Sequence, residues 1–219
     1  MTRNEEIALN IRTLREKLGN VELCAVTKTM PVEDINAAID AGITEIGENR
    51  VQELMGKIES IRPGARISLI GRLQTNKVKY LIGKVGLIQS LDRDELAREI
   101  SKRSVNAGVV TDTLIEVSIA GEEQKGGVPV NELIDFAGRV NDMPGIHVKG
   151  LMTVMPIAED PETLRPYFRQ MRMFFEELRR AGMDMEVLSM GMSNDWRIAA
   201  EEGSTMVRVG RGIFGSRNY

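Results

Sequence analysis

The sequence predicts an α/β protein built as a single (β/α)8 barrel of the TIM type. Short apolar runs alternate regularly with helical segments, which is typical of a parallel sheet. The number of apolar runs is close to eight, and the length of 219 residues suits one α/β barrel. Because no linker, repeat or low-complexity tract interrupts the chain, we expect residues 1–219 to form one domain.

The predicted strands are short runs of apolar and β-branched residues that end in glycine-rich or polar loops. In chain order they are Leu23–Val26, Ile43–Ile46, Ile67–Ile70, Val85–Gln89, Thr113–Ile119, Ile146–Met152, Met185–Met190 and Thr205–Val209. The first run is apolar on both faces, as expected of a strand with a core on each side. No Gly-x-Gly-x-x-Gly motif follows it, which argues against a Rossmann-type dinucleotide site.

Helix signals separate these strands. Thr2 and Glu5 have capping-box spacing at the first helix, and Asp92 and Glu95 repeat it before a later one. Pro166 suits the first turn of the longest helix. The predicted helices are Thr2–Leu18, Pro31–Ala41, Arg50–Ile58, Lys77–Ile82, Asp92–Arg103, Pro129–Val140, Leu164–Arg180 and Trp196–Glu202.

Composition excludes several functional classes. The net charge is -3 and aromatic residues make up 4% of the chain, so we expect neither nucleic-acid binding nor an anionic membrane partner. No apolar run approaches the length of about 18 residues that a membrane helix needs. Cys24 is the single cysteine and His147 the single histidine, which disfavours disulfides, zinc sites and a Ser-His-Asp triad. We expect Cys24 to be a buried small hydrophobe and the protein to be cytoplasmic.

Lys28 follows the first predicted strand and lies at the end of the barrel where this fold places its chemistry. A lysine that loses its proton there can attack a carbonyl carbon and form an imine. Most lysines, however, only solvate a surface. Position alone therefore favours a surface role for Lys28, and other residues have to support a chemical one.

Two loops near the end of the chain are suited to phosphate. In barrels of this type, phosphate often binds between the loops after strands seven and eight. Ser193 precedes a helix at the first loop and is placed as its N-cap, and Gly210 and Gly212 at the second would let main-chain amides approach an anion. The alternative is that the glycines only form turns and that Ser193 only caps its helix.

Arg208 lies on the last predicted strand, two residues before Gly210. A buried arginine needs an acceptor or a charged partner. The ordinary explanation would be a salt bridge to Glu48 or to another carboxylate inside the barrel.

Together, several longer motifs resemble the YggS/PROSC family of pyridoxal 5′-phosphate (PLP) homeostasis proteins. They agree in order and spacing along nearly the whole chain. The segments are Ala25–Thr29, Gly47–Glu53, Leu69–Lys77, Glu122–Gly126, Lys149–Met152, Leu188–Ser193 and Gly203–Arg217. The resemblance implies a PLP-binding barrel similar to the N-terminal domain of alanine racemases.

The resemblance also implies roles for individual residues. Lys28 would carry PLP as a Schiff base, Asn49 would lie beside the cofactor, and Ser193 would contact its phosphate. Arg208 would face the pyridine nitrogen. The backbone of Gly210 and Arg211 would bind the phosphate as well.

For function, the resemblance implies a protein that holds PLP and delivers it, by release or by transient contact, to PLP-requiring enzymes without robust turnover. We expect a monomer, because the second domain that supplies the dimer contacts of racemases is missing. One alternative is a PLP-dependent amino-acid racemase, which needs a second acid/base, usually a tyrosine from another domain. The chain has only Tyr80, Tyr167 and Tyr219. The other alternative is a Schiff-base aldolase acting on a phosphorylated sugar.

Three positions depart from the expected family pattern: Ser68, Ser118 and Arg211. The first two leave the detail of the barrel rim open, whereas Arg211 adds a cation beside the proposed phosphate. Lys77 and Lys125 are either surface charges or sites of transient PLP loading.

Overall fold

Strands and helices alternate along the computed structural model, which describes residues 1–121 and 126–215. The strands are β1 (Glu22–Val26), β2 (Glu45–Glu48), β3 (Arg66–Leu69), β4 (Leu87–Leu91), β5 (Thr111–Ser118), β6 (Val128–Pro129), β7 (Ile146–Met152), β8 (Val187–Ser189) and β9 (Met206–Val209). The helices are α1 (Arg3–Leu18), α2 (Val32–Asp40), α3 (Val51–Lys57), α4 (Asp94–Ala107), α5 (Leu133–Asn141), α6 (Arg165–Arg180), α7 (Trp196–Glu201) and α8 (Arg211–Phe214).

The strands close into a barrel, as the strand count and the chain length predicted. All strand pairs are parallel, and the sheet runs β4-β3-β2-β1-β9-β8-β7-β5, with β5 pairing back onto β4. Eight of the described strands therefore form a closed (β/α)8 barrel. The two-residue strand β6 was not predicted from the sequence. It lies outside this ring and pairs with the carboxyl end of β5. Because parallel strands share one direction, all their carboxyl ends meet at one mouth of the barrel.

The helix starts predicted from capping residues and prolines are confirmed at α1 and α6 but are wrong at α4. Thr2 and Glu5 form the predicted capping box of α1, and the proline of α6 lies in its first turn. The predicted box at Asp92 is wrong, since Arg93 is the N-cap of α4 and the Asp92 carboxylate instead accepts from Arg93 Nη1 at 2.5 Å. The predicted helix Lys77–Ile82 is a 3-10 helix over Thr75–Tyr80.

Apolar side chains fill two regions of the core. The larger region lies between the strands and the surrounding helices, where buried leucines, isoleucines and valines dominate. Inside the ring, a smaller apolar layer consists of Cys24, Leu87, Leu114, Met152, Val187 and Met206. Cys24 is fully buried, which confirms its role as a small core hydrophobe, and burial raises the pKa of its thiol.

Contacts between polar and charged side chains close the amino end of the barrel. Arg66 Nε donates to Glu45 Oε2 at 2.5 Å, and the two nitrogens of His147 lie 3.0 Å from Asp112 and 2.9 Å from Asp184. This end therefore stabilises the barrel, while the carboxyl end remains open for a ligand. None of the helices in the described part of the chain is long and apolar enough to cross a membrane.

Candidate functional site

A cavity of about 460 Å³ opens at the carboxyl ends of β1, β8 and β9. Its wall includes five of the six residues that the sequence analysis selected, namely Lys28, Ser193, Arg208, Gly210 and Arg211. The remainder of the wall is mainly the apolar loop that follows β7, residues 155–158. The fold thus brings together residues that are up to about 180 positions apart in the chain.

Asn49 does not line this cavity. It directly follows β2, at the same end of the barrel, and its side chain is partly exposed. The main chain around Asn49 packs closely on the loop after β3, because a Cβ added at Gly71 would lie only 2.9 Å from Asn49 Cα. Asn49 therefore belongs to the rim of the mouth next to Lys28.

Lys28 lies two residues beyond β1, and its partly buried side chain forms one wall of the cavity. Val26, the last residue of the strand, and Arg208 line the same cavity. A lysine on the wall of a concave pocket is better placed to meet a ligand than one on an open surface. This placement favours the chemical interpretation of Lys28 over the surface one.

The loop between β8 and α7 presents Ser193 to the cavity in a way that the sequence analysis did not anticipate. The N-cap of α7 is Asp195, so the predicted capping role of Ser193 is wrong. Asp195 instead accepts from the Met192 amide at 2.5 Å and folds the chain into one extra turn before the helix. This turn places Ser193 on the cavity wall.

Within the described part of the chain, three residues of the cavity wall, Ser193, Asn194 and Arg211, and the adjacent Gly212 have main-chain amides without a partner. In α8 the Gly210 carbonyl accepts from Ile213 and Phe214 at 2.9 and 3.0 Å, and the first amides of the helix have no acceptor within it. Across residues 1–121 and 126–215, no acceptor is found for the N–H groups of Ser193, Asn194, Arg211 and Gly212. Unpaired amides of this kind are donors for an anion.

Arg208 forms the buried part of the cavity, with an exposed fraction of 3%. Its Nη1 donates to Ser189 O at 2.9 Å and to Ser189 Oγ at 2.5 Å, and its Nη2 donates to Thr153 O at 2.7 Å. The expected salt bridge to Glu48 is wrong, because Glu48 pairs with Lys57 Nζ at 2.5 Å. Neutral acceptors hold the guanidinium, and burial lowers the pKa of Arg208.

A chain of hydrogen bonds extends from Arg208 through the interior of the barrel. Ser189 Oγ donates to Gln89 Oε1 at 2.8 Å, and Gln89 Nε2 donates to Ser68 Oγ at 3.3 Å. Ser68 in turn donates to the buried carboxylate of Glu45. Ser68 therefore lies inside the barrel and not at its rim, where the sequence analysis had expected its effect. Sequence patterns missed this chain because its members come from five different strands.

Two buried carboxyl groups in the barrel have strongly shifted pKa values. Burial raises the pKa of Glu45 to about 7, against the opposing effects of Ser68 and Arg66. Burial, and secondly Asp92, raise the pKa of Glu116 at the carboxyl end of β5 to about 7. Neither residue was selected from the sequence, because a glutamate within a strand gives no local sign of its burial.

The tyrosines of the described chain lie away from the cavity. None of the described residues on its wall is a tyrosine. Tyr80 lies on the surface beside the ammonium groups of Lys77 and Lys79, at 5.8 and 5.1 Å from its ring centre, and Tyr167 belongs to α6. Residues 122–125, which include Lys125 and most of one family motif, and residues 216–219, which include Tyr219, lie outside the described residues.

Comparisons with known proteins agree with this picture. A family model described as the alanine racemase N-terminal domain matches residues 3–218. A pyridoxal phosphate homeostasis protein of Aquifex aeolicus is 47% identical over 210 residues, covering 93% of this chain and 92% of that protein.

Solved structures are similar as well. PipY of Synechococcus elongatus PCC7942, solved with PLP bound, has a TM-score of 0.89 and 31% identity over 95% of this chain and 100% of that one. An alanine racemase of Clostridium difficile 630 has a TM-score of 0.83 over 98% of this chain and 58% of that one. At 16% identity, the second likeness shows a common fold only.

Proposed function

The chain belongs to the alanine racemase N-terminal domain family and, within it, to the pyridoxal phosphate homeostasis proteins, and we propose that it binds PLP as a Schiff base on Lys28. We further propose that it serves intracellular PLP homeostasis, holding and delivering the cofactor without robust turnover. The observation that carries this proposal is one ligand-sized cavity whose wall includes Lys28 together with Ser193, Asn194 and Arg211, three residues whose main-chain amides have no partner in the described chain.

The two ends of PLP match the two sides of this cavity. The nitrogen of Lys28 would add to the aldehyde carbon and water would leave, so that a C=N bond replaces the C=O bond. The phosphate oxygens would accept hydrogen bonds from the amides of Ser193, Asn194, Arg211 and Gly212. The Ser193 hydroxyl would donate to the phosphate as well. The Arg211 side chain adds a positive charge at the cavity wall. Asn49 would lie beside the cofactor from the rim.

Arg208 favours a role as a PLP carrier over a catalytic role. A guanidinium is always protonated and can only donate, so it would keep the pyridine nitrogen of PLP unprotonated. When bound, PLP supplies an electron sink for carbanions, and an unprotonated ring is a weaker one. The described cavity wall also lacks a tyrosine that could act as a second base. Both features support a carrier more than the alternative amino-acid racemase.

A titration with PLP tests the proposed Schiff base. The purified protein should become yellow, with an imine absorbance band that borohydride removes and that is lost in Lys28→Ala. Lys84→Ala, which changes an exposed lysine, should keep the band. A wild-type protein that stays colourless after PLP addition would exclude PLP binding as an imine.

Two further assays separate the carrier from the racemase. Chiral analysis of alanine and serine after prolonged incubation with the yellow protein should show no enzyme-like turnover. Mixing the yellow protein with a PLP-requiring apoenzyme should restore that enzyme's activity, and adding a phosphatase that destroys free PLP distinguishes transfer through contact from release. Sustained racemisation at enzyme-like rates would overturn the carrier proposal.

A further inference from the structure

Both residues next to Lys28 are held by helix α3. The Thr27 carbonyl accepts from Lys57 Nζ at 3.0 Å, and the Thr29 amide donates to Glu53 Oε1 at 2.5 Å. Glu53 and Lys57 are one helical turn apart and pair with each other at 3.0 Å. One helix surface thus fixes the peptide groups on both sides of Lys28.

Lys57 is unusually placed for a lysine, since only 8% of it is exposed. Its ammonium has three N–H donors, and three acceptors lie within reach: the Thr27 carbonyl, Glu53 at 3.0 Å and Glu48 at 2.5 Å. The Thr27 hydroxyl also donates to Glu48 at 2.5 Å. A buried ammonium carries a large desolvation cost, which this complete set of partners offsets.

The backbone at Thr29 is strained. Its φ is +64°, and within residues 1–121 and 126–215 it is the only residue other than glycine with a positive φ. A β-branched residue is unfavourable in this left-handed conformation, which persists only where the surroundings enforce it. The bond from the Thr29 amide to Glu53 is such a constraint, and it acts one residue after Lys28.

Charge keeps this constraint strong. Burial raises the pKa of Glu53, but the Thr29 amide and Lys57 outweigh it, so that the net pKa is lowered. The carboxylate therefore stays ionised at neutral pH, and an ionised acceptor forms the stronger hydrogen bond.

We propose that Glu53 and Lys57 are positioning residues for Lys28, which fix the Thr27–Thr29 segment so that the lysine amine meets an incoming aldehyde in one orientation. This inference rests on the proposed function of Lys28. Misplacing a reacting group by about 1 Å can cost about 100-fold in rate. The clamp should therefore govern the rate of imine formation more than the affinity of the cavity.

Two probes separate positioning from cavity binding. PLP can bind and then form the imine, whereas pyridoxine 5′-phosphate, which has an alcohol in place of the aldehyde, can only bind. Glu53→Gln keeps the size of the side chain and removes the charge. In stopped-flow mixing with PLP, we expect imine formation to slow by about 10-fold or more in Glu53→Gln, with the affinity for pyridoxine 5′-phosphate unchanged.

Matched variants control this experiment. Glu99→Gln removes the same type of i,i+4 pair, here with Arg103 at 2.6 Å on α4, and should leave both measurements unchanged. Lys57→Arg keeps a buried cation and should therefore retain more of the wild-type rate of imine formation than Lys57→Met. If Lys57→Met does not fold, the comparison of Glu53→Gln with Glu99→Gln still tests whether Glu53 positions Lys28.

The outcomes differ for the two proposals. A wild-type protein that forms no imine refutes the proposed function, and with it the need for a positioning clamp. A wild-type protein that forms the imine, with Glu53→Gln reacting equally fast, refutes the clamp alone. A parallel loss of imine rate and of pyridoxine 5′-phosphate affinity in Glu53→Gln also refutes it, because the whole cavity would then have changed.

Discussion

Gly210 directly follows β9, at the point where the main chain turns beside the cavity. Its φ is -108°, which any residue can adopt, and a Cβ added there would have its nearest contact at 3.4 Å, with the Val26 carbonyl. The fold therefore tolerates alanine at this position. A methyl group would nevertheless project at the place proposed for the phosphate.

We predict that Gly210→Ala leaves the thermal unfolding midpoint nearly unchanged and weakens PLP binding by about tenfold, or about 1.4 kcal/mol. Gly138→Ala on an exposed face of α5 is the control, and it should leave binding unchanged. Titration by absorbance and differential scanning calorimetry measure the two effects. Equal PLP affinity in Gly210→Ala and wild type would place the phosphate elsewhere.

The Glu116 carboxyl should make stability depend on pH. Its pKa of about 7 in the folded chain lies above the ordinary value of 4.5. The folded state therefore binds the proton more tightly than the unfolded state, and this contribution to the free energy of unfolding decreases as pH rises from about 4.5 to 7. Above pH 7 the contribution is constant.

Glu116→Gln should remove that dependence. The free energy of unfolding of the variant minus that of wild type should therefore increase from pH 5 to pH 8, by up to about 3 kcal/mol. Urea unfolding at the two pH values measures this increase. Glu132→Gln, which changes an exposed glutamate, should show none. A difference between Glu116→Gln and wild type that is the same at both pH values would contradict the assigned burial effect.

For single residues, the sequence allowed a candidate to be selected where its position next to a predicted strand was sufficient evidence. Lys28, Ser193, Gly210 and Arg211 could be selected because each lies in a loop at the carboxyl end of a predicted strand. The partners of Arg208 could not be predicted, because Ser189 and Thr153 meet it only after the barrel closes.

The loop between β8 and α7 shows how one element shapes the cavity. Gly191 has a φ of +95°, and a Cβ there would lie 2.6 Å from the Ala199 side chain and 3.0 Å from Trp196 Cα. Alanine at this position would therefore strain the backbone and also push α7 away from the strand. Since Ser193 and Asn194 lie between Gly191 and α7, their amides would move as well.

We predict that Gly191→Ala costs about 2 kcal/mol or more of stability and also weakens PLP binding. Gly182→Ala is a matched control, because Gly182 has a similar φ of +93° but no atom within 4 Å of an added Cβ. It should cost only the backbone strain of about 1–2 kcal/mol and leave binding intact. Chemical unfolding and PLP titration of both variants test this, and weakened binding in both would remove the special role of the loop.

Element boundaries show where local patterns fail. The second strand was predicted two residues too early, at Ile43–Ile46, whereas β2 is Glu45–Glu48. Glu45 was inside the predicted strand and Glu48 outside it, but Glu45 pairs with Arg66 and Glu48 with Lys57, so both can lie inside the barrel. Those partners come from later elements, and no local signal reveals them.

Across the whole molecule, the two ends of the barrel have different roles. The amino end is closed by ion pairs such as Arg66 with Glu45, while the carboxyl end holds the cavity. The hydrogen-bond chain through Gln89 and Ser189 links these ends and terminates on Arg208. The alternation of strands and helices, the strand count near eight and the chain length together predicted this architecture. A closed parallel ring then fixes which end can hold a ligand.

The central claim is that Lys28, among all the lysines of the chain, forms the Schiff base with PLP. Borohydride reduction of the PLP-loaded protein, followed by tryptic digestion and mass spectrometry, tests it directly. Trypsin does not cleave after a modified lysine, so the PLP adduct should appear on the peptide Leu18–Arg50 and be absent from Lys28→Ala. An adduct found mainly at another lysine, such as Lys77 or Lys125, or retained in full by Lys28→Ala, would contradict the account.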